Sequence, residues 1–141
     1  MERPPKVLAA FPSLAIPSLE RIFDGHVGFL PVHSLSEAKS MLQSNADVIS
    51  LVACGVHFDE SRMFDLLRYV RESFPGIPFI CCRVLEMQFA RISIPAIALS
   101  AASLGAVTFF DLPGRTKEVG RQAAEEEFRN VLLKHLPRPQ G

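Results

Sequence analysis

Leu104-Gly105-Ala106-Val107-Thr108-Phe109-Phe110-Asp111-Leu112-Pro113 decides how this 141-residue chain is read. Gly105 marks the end of a helix, the apolar run after it has the β-branched and aromatic content of a strand, and Pro113 stops that strand. Just upstream, residues 94–104 form an Ala- and Ser-rich helical segment, with Ser93 placed to cap it and Pro95 in its first turn. Downstream, one long helix is expected to run from about Thr116 to Leu136. Its stripe of Ala124, Phe128, Val131, Leu132 and Leu136 faces inward, and Glu125-Glu126-Glu127 faces solvent.

The same alternation of apolar strand and helix extends back to the N-terminus. Lys6 to Phe11 is a short continuous apolar run, as in strands buried on both faces. A short helix follows over residues 16–23, and Val27 to Val32 is a second strand. Pro31 inside that strand cannot donate to a ladder, which places the strand at a sheet edge. Ser34 and Glu37 have capping-box spacing and start a helix that ends near Asn45. Residues 47–53 read as the third strand. Phe58 to Phe74 is strongly amphipathic, with Met63, Leu66, Leu67, Val70 and Phe74 on one face and Asp59 or Ser61 available as cap. Residues 79–84 are the fourth strand.

Five such units joined by short connections imply right-handed crossovers and an α/β fold with a parallel sheet covered by helices on both faces, and the arrangement expected is a flavodoxin-like three-layer sandwich, five strands in the order 2-1-3-4-5. The edge position demanded by Pro31 agrees with that order. A single domain over 1–141 is expected, its core spanning about 6–136 and both termini disordered.

Composition narrows the function. Fifteen basic and fifteen acidic residues cancel, so no net field favours nucleic acid or an anionic membrane. No apolar run reaches the roughly 18 residues of a membrane span and no secretory leader is evident, which points to a cytoplasmic protein. Three cysteines, two of them adjacent, do not form a disulfide framework.

The order and spacing of these segments resemble the response-regulator receiver (CheY-like) family. Gly105-Ala106, two residues, Phe109, Phe110, one residue and then Leu112-Pro113 match the family's last strand, where the residue before proline is lysine. Lys6 to Ala10 matches the first strand, Asp47-Val48-Ile49-Ser50-Leu51 the third and Pro78 to Cys82 the fourth. The resemblance implies a reactive pocket with an acidic pair after the first strand, a phosphoacceptor aspartate ending the third, Ser/Thr ending the fourth and lysine ending the fifth. A divalent ion and an ammonium group there offset the phosphoryl charge. In this sequence those positions fall on Phe11 and Pro12, on Val52 (Ala53 if the register slips by one), on Arg83 and on Leu112. All five roles are lost together, so the resemblance implies a degenerate pseudo-receiver that is not an enzyme and binds no cofactor.

The lead for function is then the surface of the fourth helix, last strand and last helix, which in receivers meets partners or a second copy. Phe89, Arg91, Ile94, Ile97, Leu99 and Phe109 are the candidate partner-binding residues, since a helix this apolar is costly to leave in water. The expected function is phosphorylation-independent protein interaction or homodimerisation in signal transduction or transcription control. The alternative is a small-molecule, metal or thiol sensor using the former phosphate pocket or the Cys54/Cys82/His57 neighbourhood. Against it, adjacent Cys81 and Cys82 must point to opposite faces, and the paired-ligand spacing of a zinc site is absent, so no metal is expected.

Overall fold

In the computed structural model, residues 4–86 and 93–137 are described. Five strands, β1 (Lys6–Ala10), β2 (Gly28–Val32), β3 (Ile49–Gly55), β4 (Phe79–Arg83) and β5 (Thr108–Asp111), form one parallel sheet of order β2-β1-β3-β4-β5. The helices are α1 (Ile16–Ile22), α2 (Leu35–Asn45), α3 (Met63–Ser73), α4 (Ile94–Ser103), α5 (Leu112–Val119) and α6 (Arg121–Lys134). The helical layers are those expected from the alternation of apolar runs and amphipathic segments, and the strand order is that of the expected flavodoxin-like arrangement.

Side chains on successive strand positions point to opposite faces, which divides the core in two. Leu8, Ala10, Val52, Cys54, Phe79 and Cys81 meet α2, α3 and α4, whereas Val7, Ala9, Phe11, Leu51, Ala53, Ile80 and Cys82 meet α1 and α6. The second layer is held by an aromatic chain: Phe110 stacks on Phe128 at 4.9 Å, Phe128 meets Phe23 edge-on at 5.1 Å, and Phe23 meets Phe29 at 5.6 Å. These rings tie β5, α6, α1 and β2 together through large buried apolar areas.

Pro31 sits where its missing donor does least harm. The Gly28 amide donates to Pro5 and Val32 accepts from the Phe11 amide, so Gly28, Leu30 and Val32 direct their polar groups at β1. Alternation turns Phe29 and Pro31 to the open edge, which Pro31 blunts against pairing with another strand.

Local chemistry sets the helix starts. Ser34 Oγ accepts from the Glu37 amide at 3.1 Å, and the Glu37 carboxylate accepts from the His33 amide, one residue earlier than the usual capping box. Ser93 Oγ accepts from Ala96 at the start of α4.

Four expectations need correction. The third strand starts at Ile49 rather than Asp47, because the Val48 amide closes a turn onto Asn45, and it runs on to Gly55 because β4 pairs with Cys54 and Gly55. The third helix starts at Met63, and neither Asp59 nor Ser61 caps it. Asp59, Glu60 and Ser61 have φ of 42°, 55° and 69°, a left-handed turn that no helical start can contain. Asp59 instead accepts from the Leu35 amide at 2.7 Å and so caps α2 from across the fold. The last helix is two: the Asp111 carboxylate caps α5 early, and Gly120, with φ 91° and ψ 161°, makes a corner before α6. Arg21 and Arg121 also draw Glu125 out of the solvent-facing role expected for it.

Candidate functional site

The carboxyl-terminal edge of a parallel α/β sheet is where ligands ordinarily bind. Here that edge is built by the ends of β1, β3, β4 and β5, and apolar or mutually paired groups close it. Phe11 is fully buried, with its ring against the backbone of Gly55, and Leu112 is buried in the same cluster beside Cys82 and Phe110. Pro12 is half-buried and leads into a 3-10 turn over Ser13–Ala15.

Between these two apolar ends lies one ion pair. Arg83 ends β4 and pairs in register with Asp111, which ends β5; Arg83 Nη1 donates to Asp111 Oδ1 at 3.0 Å. Both side chains are largely sheltered, at 13% and 21% exposure, so each charge is offset where water screens it weakly. The same Asp111 oxygen accepts from the Gly114 amide at 3.2 Å. A Cβ on Gly114 would collide with this carboxylate, so glycine there is what lets Asp111 serve both partners.

Val52 does not belong to this edge. Its Cα partners are Leu8 and Phe79, and Phe79 is the first residue of β4. The edge residue on β3 is Gly55, three positions or about 10 Å further along the strand. The sequence match counted β3 from Asp47, which the structure leaves in a turn. Gly55 and Asp111 are the two edge residues that sequence reading missed. Asp111 precedes Pro113 by two residues at the end of a strand, which is a recognisable helix-capping signal.

The cysteines divide between the two faces of the sheet, as the alternation at Cys81-Cys82 requires. Cys54 pairs in register with Cys81, and both belong to the α2/α3/α4 layer, whereas Cys82 faces the other layer. A Cys54/Cys82 site is therefore not formed. All three thiols are buried, and desolvation raises each, Cys81 to about 12. Such thiols pack as small hydrophobes and are poor nucleophiles. Among the described residues no three His, Cys, Asp or Glu side chains gather where they could hold a metal ion.

On the expected docking face, the residues separate. Ile97 is 5% exposed and packs in the core with Ala101, so it is a structural residue and not a contact residue. Its helical phase turns it to the sheet and turns Leu99, 71% exposed, to solvent. Ile94 and Phe109 are half-buried against the same core. Phe89 and Arg91 lie outside the described residues. Pro95, Ala96, Leu99 and Ala102 are exposed on α4, and Val107 is 44% exposed just before β5.

This architecture, with its sheet order, matches solved structures closely in shape. A putative response regulator from Chloroflexus aurantiacus aligns with a TM-score of 0.65 at 18% identity, covering 92% of this chain and 98% of that one. The chain has the receiver fold. A CheY-like response regulator receiver domain from Methanospirillum hungatei aligns with a TM-score of 0.64 at 14% identity, over 94% and 97% of the two chains. The beryllofluoride-activated NtrC4 receiver domain dimer aligns at 0.60 and 18%, over 87% and 98%. No family model and no curated protein matches the sequence. Phe11, Arg83 and Leu112 lie at the carboxyl-terminal sheet edge, and Val52 does not. No helix among the described residues is long and apolar enough to cross a membrane.

Proposed function

We propose that this chain is a non-catalytic receiver-like module of signal transduction that binds a protein partner, or a second copy of itself, through α4, β5 and α6 without being phosphorylated. The observation that carries the reading is the sheet edge. Phosphoryl transfer needs carboxylates that hold a divalent ion and a cation free to meet the phosphoryl oxygens. At this edge the first strand offers the Phe11 ring, the third offers Gly55, and the Arg83 guanidinium is engaged by Asp111.

The docking part rests on α4 and its surroundings. From Ser93 to Phe110 the chain has no charged side chain, and it exposes Leu99 and Val107 there. Thr108 and Phe110 also turn their backbone groups to the open side of β5, because the Val107 amide is directed at Phe79 of β4. An uncharged face next to an open strand edge has no like-charge repulsion against a copy of itself, and the dimeric NtrC4 receiver domain has the same fold.

Two measurements test this. Intact-mass spectrometry after incubation with Mg²⁺ and acetyl phosphate is expected to find only unmodified protein, and a phosphoryl adduct would sink the phosphorylation-independent reading. Light scattering or pull-down of Leu99→Asp against the parent is expected to show weakened association with unchanged thermal stability. Association unaffected by Leu99→Asp would remove α4 as the docking helix.

A further inference from the structure

The geometry points to α5 as a strap over the sheet edge, held shut by a latch of Arg83, Asp111 and Gly114. At eight residues, α5 is too short to be stable by its own hydrogen bonds, so its anchors decide whether it stays folded in place. Its first turn is held firmly: Leu112 and Pro113 are buried, and Asp111 caps the Gly114 amide while gripping Arg83. The side-chain pairs further along it lie at the surface. Arg115 meets Glu127 at 2.9 and 3.0 Å, and Lys117 meets Glu86 at 3.2 Å with both side chains about two-thirds exposed or more. Exposed pairs of this kind contribute little and are screened by salt.

At its other end the strap meets Gly120, whose φ of 91° and ψ of 161° lie in a region that glycine alone adopts readily. A Cβ there would touch nothing within 4 Å, so this joint is set by backbone conformation and not by packing. A short helix between a polar latch and a glycine joint is a unit that can open without unfolding the rest. Opening lifts Leu112 from the cluster it shares with Phe11, Cys82 and Phe110 and uncovers the sheet edge. Asp111 also ends β5, so the latch fixes that strand's end, which ties the strap to the proposed docking face. Only this last link rests on the function proposed above.

Amide hydrogen exchange on the isolated protein reads the strap directly, with no partner or phosphodonor present, so its result is independent of the docking tests. In Arg83→Met the α5 amides of residues 116–119 are expected to exchange at least tenfold faster, with α2 and α3 amides unchanged. Equal acceleration in every helix, or none in α5, would overturn the latch.

Gly114→Ala separates the latch from simple helix propensity. Alanine is the better helix former, so propensity alone predicts slower exchange in α5. The latch predicts the opposite sign, because the new Cβ displaces the Asp111 carboxylate while both charges remain. Slower or unchanged exchange in Gly114→Ala would overturn the proposal.

Discussion

The Phe11 ring occupies the space that a side chain on Gly55 would need: an ideal Cβ at Gly55 would lie 2.6 Å from Phe11 Cδ1 and 2.9 Å from Cε1. Phe11 is itself 1% exposed and packs among Ala15, Ala53 and Leu112, so the ring has little freedom to retreat. Gly55→Ala is therefore expected to destabilise by about 1–3 kcal/mol through overpacking. Urea denaturation measures it. Gly76→Ala serves as the control, since a Cβ there meets nothing within 4 Å and φ lies outside the left-handed region. A Gly55→Ala midpoint equal to that of Gly76→Ala would show that the ring does not block the edge.

Much of the fold is legible in the residues themselves because each signal is local. Pro31 names an edge strand, Ser34 and Ser93 name helix starts, and the alternation at Cys81-Cys82 divides the two layers of the core. The errors arise where the deciding partner is distant in sequence. Asp59 reads as a cap for the helix after it, yet its acceptor oxygen is used by Leu35, 24 residues earlier. Val52 reads as a strand end because Asp47 starts the apolar run, whereas pairing with β4 carries β3 on to Gly55. Ile97 and Leu99 are equally apolar in sequence, and only the rotation of α4 on the sheet separates core from surface. The Arg83–Asp111 pair joins residues 28 apart that become opposite only once β4 and β5 are in register.

The left-handed turn over Asp59, Glu60 and Ser61 predicts a stabilising substitution. Three consecutive non-glycine residues with positive φ are unfavourable by about 1–2 kcal/mol each relative to glycine's freedom there. The turn persists because Phe58 and Met63 are both buried and Asp59 is held on the Leu35 amide. Glu60 is exposed, so Glu60→Gly relieves strain without removing a core contact. After the added entropy of glycine in the unfolded chain, a gain of up to about 1 kcal/mol is expected. Asp59→Ala has the opposite sign, since it removes the acceptor of the Leu35 amide at the start of α2 and leaves the strain. Thermal denaturation of both variants checks the pair of signs, and a destabilised Glu60→Gly would contradict the left-handed turn.

Thiol labelling distinguishes packed cysteines from a sensor. Cys54, Cys81 and Cys82 are buried, and desolvation is the largest cause raising each of them, so the thiolate is scarce near neutral pH. Ellman's reagent at pH 8 is expected to find no reactive thiol in the native protein on the minute timescale and all three after guanidinium unfolding. Rapid labelling of even one native thiol would reopen the thiol-sensing alternative.

Glu125 gives a pH signature whose direction follows from its partners. Its carboxylate accepts from Arg21 at 2.8 and 2.7 Å and from Arg121 at 3.2 Å, and the Arg21 hydrogen bonds are the largest cause holding its pKa below the usual carboxylate range, against desolvation. The unfolded chain therefore binds this proton at higher pH than the folded one. The stabilisation is complete above the unfolded value near about 4.3 and is lost as pH falls through the lower folded value. Arg21 and Arg121 are well exposed, so the contribution at neutral pH is expected to stay below about 1 kcal/mol. Glu127, held low chiefly by its hydrogen bond to Arg115, gives both proteins an acid-side slope, so the informative quantity is the difference between the parent and Glu125→Gln. Urea denaturation of both at pH 7, 5 and 3 is expected to show a constant gap above pH 5 that narrows toward pH 3. A gap that stays constant through pH 3 would mean that the Arg21–Glu125 pair does not form in solution.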